Sequence, residues 1–228
     1  YTSAQFNSKR KICTSCQSET RVDIDTTRII INIGRKKGFS KIIVGEDLHR
    51  YTCGTNHYIE KAVQGINYKA DSLYSSPKLL VRKTGLGIYA AIDYSHEKTI
   101  QTVYILKYKK DNSVPLEYYL ALLNSRVVYY YYLKTYGENE WKSHPYITKN
   151  ILFSLPIKKY ENSALDLKII QLATQISHKY DYSTDLQLER LIMQKYNLDD
   201  EDINIIRNEM NNLPNLSSVN SMKMEDYV

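Results

Sequence analysis

Ser76-Pro77-Lys78-Leu79-Leu80-Val81-Arg82-Lys83-Thr84-Gly85-Leu86-Gly87-Ile88-Tyr89-Ala90-Ala91-Ile92-Asp93 opens the stretch that decides the fold, which runs on to Ile157. The apolar run 78–82 is short and is broken by Gly85-Leu86-Gly87, so it predicts a strand closed by a basic turn rather than a helix. Residues 88–92 and 99–108 complete an antiparallel meander, although alternation in the last strand is imperfect. Ser113-Val114-Pro115 then offers a small polar cap with proline in the first turn. Leu120, Leu123, Val127, Tyr130 and Lys134 follow at helical spacing, with Tyr119, Leu122 and Leu133 widening the stripe. At ~1.5 Å per residue, one helix over 117–134 would span about 27 Å, enough to cross a sheet. Gly137 ends it, and 138–149 (ENEWKSHPYITK) reads as a long polar, basic loop.

Upstream, residues 1–27 are polar and read as a linker or loose segment. Strands are expected at 28–33, 41–45 and 57–63, with Arg35-Lys36-Lys37 as a basic turn between the first two. Downstream, Leu165, Ile169, Leu172, Ile176 and Tyr180 form one helical stripe. Thr184 with Gln187 reads as a capping box for a helix carrying Leu188, Leu191, Ile192 and Tyr196. Asp199 with Asp202 opens a last helix through Ile203, Ile206 and Met210. The fold class expected is α+β: a β-rich body at 28–160 with a long aromatic helix, a helical C-terminal portion at 161–211, and a frayed tail at 212–228.

The 228 residues carry a net charge of +6, which favours a polyanionic partner without requiring one. Tyrosine is abundant, at 22 copies against 3 Phe and 1 Trp. Its ring packs while its hydroxyl stays wet, which suits interfaces and nucleic-acid surfaces, and a biased genome would give the same excess. Three cysteines argue against a disulfide framework. No apolar run is long enough to span a bilayer, no signal peptide is visible, and the chain starts at Tyr1. The expectation is a piece of a longer cytoplasmic protein.

Several ordered motifs resemble the TaqI-like C-terminal specificity domain, the target recognition domain of adenine-specific DNA methyltransferases and of restriction enzymes fused to them. Val44-Gly45-Glu46-Asp47-Leu48-His49-Arg50-Tyr51 is similar to the family's early strand and turn. Ser76 to Arg82 with Gly85 resembles the strand and its basic turn, and Ala90-Ala91-Ile92-Asp93 the returning strand. Leu120-Ala121-Leu122-Leu123-Asn124-Ser125 matches the helix signature, and 152–157, ending Leu155-Pro156-Ile157, the exit strand. The final helices resemble the tail that closes many of these proteins, so the likeness covers roughly 41–210. A fainter likeness extends to the specificity subunits of multi-subunit restriction systems.

The resemblance implies sequence-specific recognition of double-stranded DNA by a specificity domain in a bacterial or archaeal restriction-modification system. The parent would be an adenine-N6 DNA methyltransferase, type II restriction enzyme or fused form. Its separate N-terminal methyltransferase domain would bind S-adenosylmethionine and flip the base. The Asn-Pro-Pro-aromatic motif of that domain is absent from this sequence. No cofactor and no catalytic residue are therefore expected in this chain, and its partners would be DNA and the methyltransferase domain.

Candidate DNA-binding residues follow from charge and place. Arg82, Lys83 and Thr84 sit at a turn, where Arg can fork onto guanine, although a solvated hairpin tip reads the same way. Lys142, Ser143, His144, Tyr146 and Lys149 join cations to aromatics on the long loop, with Trp141 as its anchor or as a further contact. Arg35, Lys36 and Lys37 could meet phosphates, and Arg50 matches a family position. Cys13, Cys16, Cys53 and His57 could be written as a zinc site, against reduced structural cysteines. Of Tyr129 to Tyr132, at least one faces the core and at least one faces outward. Two other classes stay open. One is a protein-interaction module docking through tyrosine-rich faces, including a type I-like specificity subunit. The other is a metal-dependent nuclease, for which Glu138, Glu140 and Lys142 lie close in sequence.

Overall fold

The structure is a computed structural model that describes residues 6–7, 12–13, 30–31, 38–60, 69–108, 114–137 and 146–227. Strands β1 (Phe6–Asn7) and β2 (Ile12–Cys13) pair antiparallel. A first sheet contains β3 (Ile30–Ile31), β4 (Phe39–Ile43), β5 (Tyr58–Glu60) and β8 (Lys98–Thr99) in the order β3-β5-β4-β8, with β4 and β8 parallel. A second contains β6 (Lys78–Arg82), β7 (Ala90–Asp93) and β9 (Val103–Leu106) in the order β7-β6-β9, all antiparallel. The three strands of the expected meander are present and antiparallel, but β6 rather than β7 lies in the middle, with Leu79 opposite both Ile92 and Leu106, so the order is not that of a meander.

β6 has no polar alternation because both of its faces are buried. Side chains alternate along a strand. Leu79 and Val81 point into the larger core with the helices, while Leu80 joins Ile43, Leu48 and Val103 in a smaller one. A substitution at either parity therefore opens a cavity.

Among the described residues the six α-helices are α1 (Leu116–Asn124), α2 (Arg126–Tyr136), α3 (Lys149–Ser154), α4 (Ala164–His178), α5 (Tyr182–Tyr196) and α6 (Asp200–Asn211). Together with the sheets they make the fold α+β. The single long helix expected from the periodicity is instead two helices, broken at Ser125, whose backbone is extended at ψ 150. The Ser125 hydroxyl accepts from the Val128 N–H at 3.1 Å and donates to the Leu122 carbonyl at 2.7 Å. A serine that caps in this way competes with continuation of the helix.

Asn124 explains the rest of that signature. β7 is an edge strand, and an edge leaves backbone groups unpaired. The Asn124 side chain accepts from the Ala90 N–H at 2.9 Å and donates to the Ala90 carbonyl at 2.9 Å, as a neighbouring strand would. The pair of residues therefore clamps α1 to the sheet and starts α2.

Three other expectations give way. Residues 152–157 do not form an exit strand: α3, capped by Thr148, takes 152–154, and 155–157 lie in no helix or strand. Its apolar run is too short to distinguish the two by pattern. The cap of α5 is Asp181, which accepts from the Thr184 N–H at 2.7 Å, so Thr184 lies inside the helix. The tail beyond Asn211 packs instead of fraying. Val219, Met222 and Met224 are fully buried, and the larger core runs from Tyr51 to Tyr227 through both the β-rich body and the helical portion. Asp199 with Asp202 opens the last helix as expected, in the form of a capping box.

Candidate nucleic-acid interface

The turn between β6 and β7 is held in shape by two glycines. Gly85 (φ +97) and Gly87 (φ +92) adopt left-handed backbone that a side chain would strain. A Cβ on Gly85 would also meet the Arg82 guanidinium at 2.9 Å, and one on Gly87 the Tyr89 hydroxyl at 2.9 Å. The Arg82 N–H donates to the Tyr89 carbonyl at 2.9 Å and closes the turn.

Neighbours brace it from both sides. The Lys83 N–H donates to the Thr102 carbonyl at 2.9 Å, and the Ile147 N–H donates to the Lys83 carbonyl at 2.8 Å. Thr84 forms an antiparallel bridge with Tyr146. The chain leaving the long loop is therefore stitched to the basic turn, joining two candidate regions far apart in sequence. Gly45 packs against the same place, with Thr102 Oγ1, Thr84 Oγ1 and Arg82 Nε within 3.8 Å of where its Cβ would be. The 44–51 motif and the 76–85 motif thus meet in space.

The outward chemistry is cationic and aromatic. Lys83 Nζ lies 4.3 Å from the Tyr104 ring centroid, an arrangement that holds an ammonium without neutralising it. The Tyr104 hydroxyl donates to the Ile147 carbonyl at 3.2 Å. Burial, then the hydrogen bond with Tyr146, raises the Tyr104 phenol above its ordinary range, so it stays a neutral donor. Tyr146 is 48% exposed, and exposed Lys149 lies 5.5 Å from the ring of Phe153. Tyr104 was not singled out from sequence. Its position opposite Val81 in the β6–β9 register is the signal that could have found it.

Arg50 requires correction as a DNA contact, because its side chain is 1% exposed and its donors point inward. Its Nη1 and Nη2 donate to the two Asp185 oxygens at 2.7 and 3.0 Å, Nε and Nη2 reach the Asn124 carbonyl, and Nη1 also reaches the Ser221 carbonyl. Arg126, fully buried, shares Asp185 at 2.9 Å and pairs with Glu189 at 3.3 Å. Glu189 also accepts the N–H groups of Arg126 and Val127 at the start of α2, where the helix dipole favours a carboxylate. Burial opposes the charge of Asp185, but Arg50 and Arg126 hold its carboxyl below the usual value; burial pushes Glu189 up despite Arg126. Two cations and two carboxylates thus form a neutral buried cluster joining sheet, helices and tail.

Arg35, Lys36, Lys37, Trp141, Lys142, Ser143, His144, Glu138 and Glu140 lie outside the described residues. So does Cys16, and nothing is described of the Cys13 side chain. Cys53 donates weakly to the Ile92 carbonyl at 3.7 Å, and burial pushes its thiol up to about 12. His57 Nδ1 sits 3.0 Å from Asp47, and Nε2 sits 3.3 Å from Glu46. Among the described residues no cluster of His, Cys, Asp and Glu could hold a metal ion. Tyr129 and Tyr132 are buried, Tyr130 is half-buried and Tyr131 faces outward, as helical spacing requires.

Among the described residues no helix is long and apolar enough to cross a membrane. No curated protein matches the chain. Residues 40–157 match the TaqI-like C-terminal specificity domain, a segment that holds the braced turn, Tyr104 and the Asn124–Ser125 clamp. That match spans more than half of the sequence and implies a role in DNA sequence specificity in a methyltransferase context. The chain belongs to the TaqI-like C-terminal specificity domain family.

Proposed function

We propose that this chain reads a specific sequence in double-stranded DNA as the specificity domain of an adenine-N6 DNA methyltransferase, alone or fused to a restriction enzyme. The observation that carries the reading is the turn 82–89. It is braced, cationic and joined by the Thr84–Tyr146 bridge to the returning loop, within the segment that matches the family. A turn braced by hydrogen bonds on both sides places Lys83, Thr84 and Tyr146 with little ordering cost on binding. Lys149 and the cations of 138–145 and 35–37 would add phosphate contacts. S-adenosylmethionine and base flipping would belong to a separate domain, and methyl transfer would not occur on this chain. The setting would be the bacterial cytoplasm.

A docking role has one specific support: Tyr131, Tyr136 and Phe153 are exposed apolar rings on α2 and α3. They would suit the methyltransferase domain as partner.

Fluorescence anisotropy with a pool of random-core duplexes, at low and moderate salt and with bound DNA sequenced, tests the main reading. Enrichment of a short motif, with affinity falling as salt rises, supports it. Lys83→Ala should lower the salt slope by about 0.9, the value for one lost phosphate contact, or relax one base position if it reads a base. Salt-independent binding to a methyltransferase domain, with no DNA binding by the chain or by that assembly, would replace it by docking.

A further inference from the structure

A cavity of about 440 Å³ lies beside the braced turn and involves a part of the chain that the family match does not reach. Arg82 and Tyr89 of the turn, His49 and Thr52 of the neighbouring loop, and Ser217 and Ser218 of the C-terminal segment line it. No carboxylate is among its lining residues, although the chain carries 25 acidic residues. Behind it, the Arg50 charge is already matched by Asp185.

Arg82 and Tyr89 each bring to the cavity a buried polar atom that lacks a hydrogen-bond partner, and Arg82 is the charged one. Its Nε is buried and finds no hydrogen-bond acceptor among the described residues. A buried donor without an acceptor is costly unless a ligand or water supplies one. The Tyr89 ring lies 5.8 Å from the guanidinium carbon, and the absence of a Cβ at Gly85 is what allows the guanidinium its place. The group is thus held at the cavity while keeping a free donor. Ser217, Ser218 and His49 are exposed and add hydroxyl and imidazole donors. A guanidinium with several neutral donors and no carboxylate is the chemistry of a phosphate site.

We propose that this cavity seats a phosphodiester of the DNA backbone next to the bases facing the turn, with Arg82 as the charged donor and the C-terminal segment supplying Ser217 and Ser218. The proposal rests on the DNA reading above. It makes the tail part of the interface, and it turns Arg82 toward the backbone while Lys83 and Thr84 remain at the turn.

Charge at Ser218 tests it, using the whole chain and the selected duplex. Ser218→Glu should weaken DNA binding about fivefold or more, and Ser218→Lys should tighten it by a similar factor, the size expected for one charge near 4 Å in water. The lysine variant should also steepen the salt slope by about 0.9. Opposite signs are the informative readout, because a purely structural role for Ser218 would make both variants weaker. Normal binding by the wild type with both variants unchanged, or both weakened, overturns the seat and leaves the DNA reading standing. Failure of the wild type to bind DNA overturns that reading and the seat with it. Inorganic phosphate, titrated at constant ionic strength, distinguishes the source. Competition abolished by Ser218→Glu, with DNA affinity the same in all three proteins, would make the occupant a free phosphate and overturn the backbone assignment.

Discussion

Asp185→Asn removes the carboxylate that two buried arginines share. In the folded protein its oxygens accept from Arg50 at 2.7 and 3.0 Å, from Arg126 at 2.9 Å and from the Tyr180 hydroxyl at 3.0 Å. Asparagine offers one carbonyl oxygen and turns an NH₂ toward a guanidinium. Arg50 and Arg126, both buried, would then face only Glu189. Removing one partner of a buried ion pair costs about 3–5 kcal/mol, because the remaining charge stays desolvated. At roughly 2–4 °C per kcal/mol for a chain of this size, the midpoint should fall by about 6–20 °C. Equilibrium urea unfolding followed by far-ultraviolet circular dichroism measures the loss, with calorimetry for the midpoint. A loss below about 1 kcal/mol with an unchanged urea slope would refute the reasoning, since it would mean water or relaxation compensates the cluster. The paired change Arg50→Met with Asp185→Leu removes one charge of each sign and leaves Arg126 with Glu189. It should be more stable than Asp185→Asn alone.

Gly85→Ala should cost about 1–2 kcal/mol for the left-handed backbone alone and should weaken DNA binding, because the new methyl displaces the Arg82 guanidinium; unchanged affinity would argue against a role for the turn. Asn124→Ala strands the N–H of Ala90 on the sheet edge, while the Ala90 carbonyl keeps the Tyr51 N–H, so a loss of about 1–3 kcal/mol is expected in urea unfolding. On the acid side, the stability contributed by Asp185 is complete above its ordinary value of 3.8 and is lost as pH falls through its lowered folded value. Unfolding free energies measured from pH 5 downward should therefore decline less steeply for Asp185→Asn than for the wild type below about pH 4.

Reading residues in order recovered the local events. The strand at 78–82, its glycine-broken turn, the returning strand and the helices of the C-terminal portion all follow from short-range pattern, and so does the Asp199 cap. The break at Ser125 was missed because apolar periodicity continues through it, while a single hydroxyl decides where the hydrogen-bond ladder restarts. The exit strand at 152–157 was expected from the family resemblance, and a run of that length is too short for periodicity to have corrected it. Arg50 was a candidate because it matches a family position, and neither that match nor its charge carries information about burial.

The sequence by itself determined the elements, the basic turn and the family resemblance, because each depends on neighbours within a turn or two of chain. Only the tertiary structure decided which cations are free. Arg50 and Arg126 are neutralised inside by residues more than fifty positions away, whereas Lys83 rests on an aromatic ring and Arg82 faces a cavity. It also decided that the tail packs. The carbonyls of Ser221, Met222 and Lys223 accept from the buried arginines, which no composition of serine and asparagine announces. Long-range pairing of charge and backbone is fixed by where the chain returns in space, and that is set by the packing of the whole core.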